Sequence, residues 1–131
     1  MKIIVDTSVW SQFLRRQDPV ESRSLSILRA GIREKNVQML GIIRQELLSG
    51  IKERKQYIKV AELLSSFPDL LAESADHSEA AVFFNTCRKK GIQGSPIDFL
   101  ICAQASRNKM TIMTEDKDFE LYSKHIPIEL I

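Results

Sequence analysis

Short apolar runs alternate with longer amphipathic stretches along most of this 131-residue chain. The runs are rich in β-branched and other apolar residues, as is typical of buried strands, and they cover residues 2–5, 37–40, 69–72, 110–113 and 126–131. The amphipathic stretches have apolar residues at helical spacing, and they cover residues 8–16, 18–35, 42–50, 57–67, 74–91 and 95–108. This alternation predicts an α/β fold around a parallel sheet, and the length predicts a single domain over residues 1–131.

Composition and charge exclude several classes of protein. Apolar residues make up 44% and charged residues 27%, the balance of a globular domain rather than a disordered chain. The net charge of +2 excludes a histone-like protein held to nucleic acid by overall charge, although a local basic patch remains compatible with it. No apolar run is long enough for a membrane span, and Asp6 interrupts the N-terminal run too early for a signal peptide, so we expect a cytoplasmic protein.

The two cysteines and two histidines do not have the spacing of a metal site. Cys87 and Cys102 lie on apolar helical faces, and we expect both to be inert thiols in the core. His77 and His125 are isolated in the sequence, and we expect both at the surface or at helix ends.

Acidic residues follow several of the predicted strands. Asp6 comes directly after the first strand, and the loop at 114–118 comes directly after the strand at 110–113. Glu46 lies on the helix after the second strand, and Asp98 lies in the first turn of its helix, where the dipole favours a carboxylate. Because ligands of open parallel sheets bind at the carboxyl ends of the strands, all four segments are expected at one edge.

Each of these acids also has an ordinary structural explanation when it is taken alone. Asp98 completes a helix cap, Glu46 is a solvated helix residue, and Asp116 or Asp118 is a turn residue. Asp6 differs, because an acid directly after an all-apolar strand has no local capping need. The prediction of a functional cluster therefore depends on the joint placement of the acids.

Four carboxylates brought together repel one another, since two unit charges roughly 4 Å apart cost about 4 kcal/mol at an effective dielectric constant near 20. A bound cation normally offsets this cost, and an all-oxygen site suits Mg²⁺ or Mn²⁺. Such ions keep water molecules that can attack a phosphodiester. The chain has no phosphate-binding loop, no dinucleotide-binding glycine motif and no G-x-S-x-G elbow. The predicted chemistry is therefore metal-dependent phosphodiester hydrolysis.

Four sequence blocks resemble the signature blocks of PIN-domain nucleases. They are Ile-Ile-Val-Asp-Thr-Ser-Val-Trp at 3–10, Arg-Gln-Glu-Leu-Leu-Ser-Gly at 44–50, Ser-Pro-Ile-Asp-Phe-Leu-Ile-Cys-Ala at 95–103 and Ile-Met-Thr-Glu-Asp-Lys-Asp-Phe at 112–119. Their order and spacing are similar to those of short VapC-type toxins of toxin–antitoxin modules. The resemblance implies a three-layer α/β/α fold with a parallel five-stranded sheet and Mg²⁺- or Mn²⁺-dependent endoribonuclease activity. It also implies a homodimer and a small antitoxin that blocks the active site.

The resemblance also implies which acids form the catalytic site. The near-invariant acids of the family match Asp6, Glu46 and Asp98, and the fourth matches Asp116, with Asp118 as a frequent helper. In this interpretation Asp6, Asp98 and Asp116 hold the metal directly or through water. Glu46 either orients or deprotonates the attacking water or binds a second ion, and the sequence leaves these roles open.

Polar residues beside these acids match the supporting positions of the family. Thr7 or Ser8 matches the polar residue beside the first acid, and Thr114 matches the hydroxyl residue that supports the cluster. The departures are mild: Cys102 stands where alanine is usual, and Glu115 adds an acid to the last loop. The added acid leaves the identity of the fourth ligand open between Glu115, Asp116 and Asp118.

An RNA substrate requires basic side chains near the acids. Arg88, Lys89 and Lys90 precede the helix of Asp98 and are the first candidates, and Arg44 lies two residues before Glu46. The alternative explanation for each is a solvated side chain at a helix end, where a positive charge suits the dipole.

Other classes of protein fit the sequence less well. A receiver-like signalling domain needs an acid pair after the first strand and a lysine at the end of the last, but Asp6 follows Val5 and the final strand has no such lysine. A haloacid-dehalogenase-like phosphatase needs an aspartate where Ser8 stands. A non-catalytic PIN-like scaffold usually lacks one or more acids, and here all four are present.

Overall fold

A parallel sheet lies at the centre of the protein in a computed structural model that describes residues 2–15 and 21–131. Its strands are β1 (Ile3–Val5), β2 (Val37–Leu40), β3 (Asp69–Leu70) and β4 (Thr111–Met113). They are ordered β3-β2-β1-β4, and every pairing is parallel. Because β1 lies between β2 and β4, the residue that follows β1 emerges at the middle of the carboxyl edge.

Helices connect the strands and flank the sheet. In the described residues they are α1 (Thr7–Leu14), α2 (Arg23–Arg33), α3 (Gly41–Ser49), α4 (Arg54–Leu64), α5 (Ser74–Lys89), α6 (Pro96–Arg107) and α7 (Asp118–Ser123). The predicted α/β fold with a parallel sheet flanked by helices is confirmed. None of the described helices is both long and apolar enough to cross a membrane.

The predicted count of five strands is wrong for the described part of the chain, which contains four. The segment at 126–131 contributes only an isolated parallel bridge between Leu130 and Ile112. Pro127 lies inside this segment and has no N–H to donate, so a longer ladder cannot form through it.

The start of α2 also differs from the sequence prediction. The helix begins at Arg23, after Ser22, whose Oγ accepts a hydrogen bond from the Leu25 N–H at 3.2 Å. This serine cap satisfies one of the free N–H groups of the first turn. The start predicted at Asp18 and Pro19 lies outside the described residues.

A single apolar core holds the first helix against the sheet. Ile4 and Val5 of β1 and Trp10 of α1 are fully buried. The Trp10 ring makes T-shaped contacts with Phe13 and Phe67, at centroid distances of 5.9 and 5.3 Å. This packing fixes the short connection between β1 and α1, where the first candidate acid lies.

Candidate active site

Asp6 occupies the connection between β1 and α1 and is buried. Its backbone N–H donates to the carbonyl oxygen of Met113 at 2.8 Å, which ties it to the end of β4. Its Oδ2 accepts hydrogen bonds from Ser8 Oγ at 3.0 Å and Thr114 Oγ1 at 2.8 Å. The two hydroxyl groups therefore hold this carboxylate in one orientation, and two of the predicted supporting residues contact the first acid.

Thr7 supports a different acid. Its Oγ1 donates to Glu46 Oε1 at 2.8 Å, across 39 positions in the sequence. Glu46 lies on α3, which begins directly after β2, and it is half-buried. Because Thr7 follows Asp6 in the chain, this hydrogen bond brings Glu46 to the same edge of the sheet.

Asp98 lies in the first turn of α6, as the sequence predicts. Ser95 Oγ accepts the Asp98 N–H at 3.0 Å, which is the expected helix cap. The carboxylate Oδ2 accepts a hydrogen bond from the Tyr122 hydroxyl at 2.8 Å. Burial raises the pKa of Asp98, the hydrogen bond from Tyr122 partly opposes this rise, and the charges of Asp6 and Asp116 add to it. The negative charges of two other predicted acids therefore reach Asp98.

The loop after β4 has a defined hydrogen-bond pattern. Asp116 N–H donates to Thr114 Oγ1 at 3.0 Å, and Glu115 N–H donates to Ser8 Oγ at 3.0 Å. Asp118 N–H donates to Asp116 Oδ1 at 2.9 Å, an Asx-type turn that starts α7. Asp116 is half-buried, whereas Glu115 and Asp118 are exposed. Among the three acids of this loop, Asp116 is therefore the one that is at least partly shielded from solvent, as Asp6 and Asp98 are.

Tyr122 is the site residue that sequence reasoning missed. It lies on α7, is fully buried, and its ring packs on Phe99 and Phe119 at centroid distances of 4.7 and 5.3 Å. Burial raises the pKa of Tyr122, as do its hydrogen bond to Asp98 and the negative charges around it, so the phenol remains a proton donor. Because α7 has only six residues, no helical periodicity in the sequence reveals it.

Cys102 also lies near the acids. Burial raises the pKa of Cys102, and the charges of Asp98 and of Asp6 raise it further. Burial also raises the pKa of Cys87. Both thiols are free, buried and kept in the protonated form, as expected for inert core cysteines. Cys102 therefore fills space behind the site.

The basic residues predicted to bind RNA differ in whether their side chains are already paired inside the protein. The guanidinium of Arg44 donates to Asp69 Oδ1 at 3.0 Å, to the Leu64 carbonyl at 3.0 Å and to the Phe67 carbonyl. All three of its nitrogens are thus used inside the protein, which argues against the predicted RNA contact. The residues at 88–90 are instead exposed at the end of α5.

The donor chemistry of the site fits a hard divalent cation, because every candidate ligand atom is a carboxylate oxygen. Within residues 2–15 and 21–131, no group of three or more Asp, Glu, His or Cys side chains is arranged to hold a metal ion. Mg²⁺ is usually bound through one or two carboxylates and keeps several water ligands, so a cage of three direct ligands is not required. Burial is the main cause of the raised pKa of Asp98, and the charges of Asp6 and Asp116 add to it; a cation among these three acids would offset both effects.

The fold and the site together define a parallel α/β domain that gathers acidic side chains where its central strands end. Residues 3–124 match the family model of the PIN domain. The chain therefore belongs to the PIN-domain family, whose members are generally nucleases.

Solved structures with the same fold span almost all of the chain. A DNA-bound VapBC from Salmonella typhimurium superposes with a TM-score of 0.79 at 18% identity, covering 100% of this chain and 97% of that chain. FitAcB from Neisseria gonorrhoeae gives a TM-score of 0.76 at 19% identity, covering 98% and 96%. VapBC-5 from Mycobacterium tuberculosis is a member of the VapBC family of toxin–antitoxin systems. It superposes with a TM-score of 0.70 at 17% identity, covering 100% of this chain and 98% of that chain. At these identities the likeness is one of fold.

Proposed function

We propose that the chain is an Mg²⁺- or Mn²⁺-dependent endoribonuclease that acts as the toxin of a toxin–antitoxin module. One observation carries the proposal: a set of hydroxyl hydrogen bonds ties three acidic residues to one edge of the sheet. Ser8 and Thr114 donate to the buried Asp6 carboxylate, Thr114 also accepts the Asp116 N–H, and Thr7 donates to Glu46. A fold gains nothing in stability from assembling like charges, so the arrangement favours a role in binding a cation. Membership of a nuclease family supports hydrolysis of a nucleic acid.

In the proposed site Asp6, Asp98 and Asp116 hold the ion directly or through water, with Asp118 and Glu46 as further donors. A bound ion supplies a more acidic water and neutralises charge on the phosphoryl oxygen. The protein's own contribution is to fix the donors, since Asp6 and Glu46 each accept hydrogen bonds from threonine or serine hydroxyls.

Glu46 has two roles that its geometry supports. Its Oε1 accepts the Thr7 hydroxyl at 2.8 Å, which leaves Oε2 for a water or for a second cation. As a general base it would orient and deprotonate the attacking water. As a ligand it would extend the site to a second ion.

The RNA backbone would bind on the basic side chains at 88–90, which precede α6. They are exposed, although Arg88 also donates to Asn85 Oδ1 at 3.1 Å and its guanidinium carbon lies 5.6 Å from the Phe84 ring centroid. The N-terminus of α6 adds backbone N–H groups and a positive dipole end beside Asp98. Arg44 is not included in this proposed surface, because its donors are already paired.

The proposed partners are a small antitoxin protein and a second copy of the chain. The antitoxin is supported by the similarity of fold to VapBC-5, a member of the VapBC family of toxin–antitoxin systems. Self-association is supported by an apolar groove of about 530 Å³ between α3, α5 and α6. Its apolar lining consists of Ile42, Ala80, Ala81, Phe84, Pro96, Ile97 and Leu100. Light scattering tests the homodimer directly, and the mass of a single chain at micromolar concentration would contradict it.

A non-catalytic PIN-like scaffold is the rival function. The observation that favours it is that, within the described residues, no three acidic side chains are already arranged around an ion position. The two functions predict opposite outcomes in a cleavage assay, because a scaffold has no metal-dependent activity.

The test incubates the purified protein with structured RNA and Mg²⁺ or Mn²⁺, beside an EDTA control. We expect cleavage that requires the metal and that falls by at least about 100-fold in Asp98→Asn, the scale of losing a group that stabilises transition-state charge. Glu62→Gln is the matched control, since it removes one negative charge from an exposed position on α4. Equal cleavage by Asp98→Asn and the wild type would indicate a contaminating nuclease and would refute the proposal.

A further inference from the structure

The hydroxyl group of Tyr122 donates a hydrogen bond from the aromatic core to the acid cluster. It donates to Asp98 Oδ2 at 2.8 Å, across 24 positions in the sequence. Tyr122 has no exposed surface, whereas Asp98 is half-buried. The hydrogen bond therefore joins a fixed core group to a carboxylate at the edge of the site.

Aromatic packing fixes the direction in which this hydroxyl points. The Tyr122 ring lies 4.7 Å from the Phe99 ring and 5.3 Å from the Phe119 ring, measured between centroids. Phe99 follows Asp98 in α6, and Phe119 lies in the first turn of α7. The ring is thus held between the helix that carries the acid and the helix that follows the loop of Asp116.

Gly94 keeps open the space that the phenol occupies. A Cβ placed on Gly94 would lie 2.5 Å from Tyr122 Oη, 2.8 Å from Tyr122 Cζ and 2.6 Å from Phe99 Cε2. Real Cβ atoms essentially never approach heavy atoms closer than 3.0 Å, so a side chain here would displace the phenol. The backbone just before the Ser95 cap therefore packs directly against the group that contacts Asp98.

We propose that Tyr122 is a positioning residue for metal binding by Asp98, an inference that rests on the proposed function. By occupying Oδ2, the phenol restricts the rotation of the carboxylate and leaves Oδ1 to the ion or to an ion-bound water. A neutral donor suits this purpose, because an arginine or lysine in its place would compete with the cation for the carboxylate charge. Partners of this kind behind a ligand orient it and strengthen metal binding.

The test compares Tyr122→Phe with Tyr57→Phe, which removes the only other phenol of the chain from an exposed position. Mn²⁺ affinity is measured without RNA by titration calorimetry, and cleavage is measured over a range of Mn²⁺ concentrations. We expect Tyr122→Phe to weaken Mn²⁺ binding on the order of 10-fold. The Mn²⁺ concentration for half-maximal cleavage should rise by the same factor, while the KM for RNA is unchanged and saturating Mn²⁺ restores most of kcat. Tyr57→Phe should match the wild type.

The outcomes separate this inference from the proposed function. If the wild type binds Mn²⁺ and cleaves RNA while Tyr122→Phe binds Mn²⁺ equally well, the positioning role is refuted and the nuclease function stands. If the wild type neither binds the metal nor cleaves RNA, both are refuted. A loss of kcat in Tyr122→Phe that excess Mn²⁺ does not restore would indicate a purely structural role and would also refute the inference.

A second measurement keeps the test decisive if Tyr122→Phe does not fold. Fluorotyrosine incorporated into the Tyr57→Phe protein labels Tyr122 alone, because the chain has two tyrosines. We expect its ¹⁹F resonance to shift as Mg²⁺ is added, and Asp98→Asn to abolish the shift. A resonance that stays unchanged while Mg²⁺ binds would refute the inference.

Discussion

At the scale of single residues, Asp6, Glu46 and Asp98 each accept hydrogen bonds from hydroxyl groups of their own. Asp6 accepts from Ser8 and Thr114, whereas Asp98 accepts from Tyr122. Hydrogen bonds to the charged form stabilise a carboxylate, but burial and the neighbouring acids outweigh this for Asp98, and its pKa is raised. The charged form of Asp98 therefore lowers the stability of the folded protein, and a bound cation would offset this loss.

The raised pKa determines how this cost depends on pH. A carboxyl whose pKa is higher in the folded than in the unfolded chain binds more protons when folded, so folding is favoured while it is protonated. The stability contributed by Asp98 is present below its ordinary pKa of 3.8 and is lost as the pH rises through the raised value. At neutral pH without metal, the charge on Asp98 therefore destabilises the fold.

Asp98→Asn should consequently stabilise the metal-free protein at pH 7. In EDTA we expect its Tm to exceed that of the wild type by roughly 3 °C, the scale that about 1 kcal/mol produces in a chain of this size. The difference should shrink as the pH falls to the ordinary range of carboxyl groups, and added Mg²⁺ should stabilise the wild type alone. Scanning calorimetry checks this, and a less stable variant at pH 7 would contradict the electrostatic argument.

At the scale of secondary structure, strand and helix ends bring the site together. Asp6 follows β1, Asp116 follows β4, and Asp98 lies at the start of α6. These placements could be predicted from the sequence, because apolar runs and a Ser-Pro cap mark element ends locally. The contact between Tyr122 and Asp98 could not, because it depends on how α7 packs against α6.

Basic residues show the same limit of sequence reasoning. Arg44 precedes Glu46 on α3 by two positions. Its sequence context does not indicate that its guanidinium donates hydrogen bonds to Asp69 of β3 and to the carbonyl of Leu64 at the end of α4. Whether a charged side chain is solvated or paired internally is a property of tertiary packing. The prediction of a fifth strand is wrong for a related reason. Ile126 and Ile128 are buried as strand residues would be, but the segment at 126–131 forms only one bridge to the sheet.

Two variants that remove positive charge should distinguish the structural role of Arg44 from the proposed RNA-binding role of residues 88–90. Arg44→Gln should lower the free energy of unfolding by about 1 to 3 kcal/mol, because the partly buried Asp69 carboxylate and two backbone carbonyls lose their donors. It should leave RNA affinity unchanged. The combined change of Arg88, Lys89 and Lys90 to glutamine should leave stability within about 0.5 kcal/mol and weaken RNA binding, with a smaller dependence on salt. Urea unfolding and RNA titration at two salt concentrations measure both effects. RNA affinity that fell only in Arg44→Gln would reverse the assignment.

At the scale of the whole molecule, membership of the PIN-domain family, whose members are generally nucleases, supports the proposed nuclease function. The fold is shared with VapBC and FitAcB. The acids lie at one edge of the parallel sheet, and Tyr122, which is buried in the core, contacts one of them there. Exposed basic residues precede α6. The proposed nuclease function requires a divalent ion bound among the acids.

The most direct test is a crystal structure of the protein grown with Mn²⁺ at a concentration that supports cleavage, with anomalous scattering recorded for manganese. We expect an anomalous peak among the carboxylates of Asp6, Asp98 and Asp116, and no such peak in Asp98→Asn crystals. A peak confined to another part of the surface, or no peak at that concentration, would contradict it.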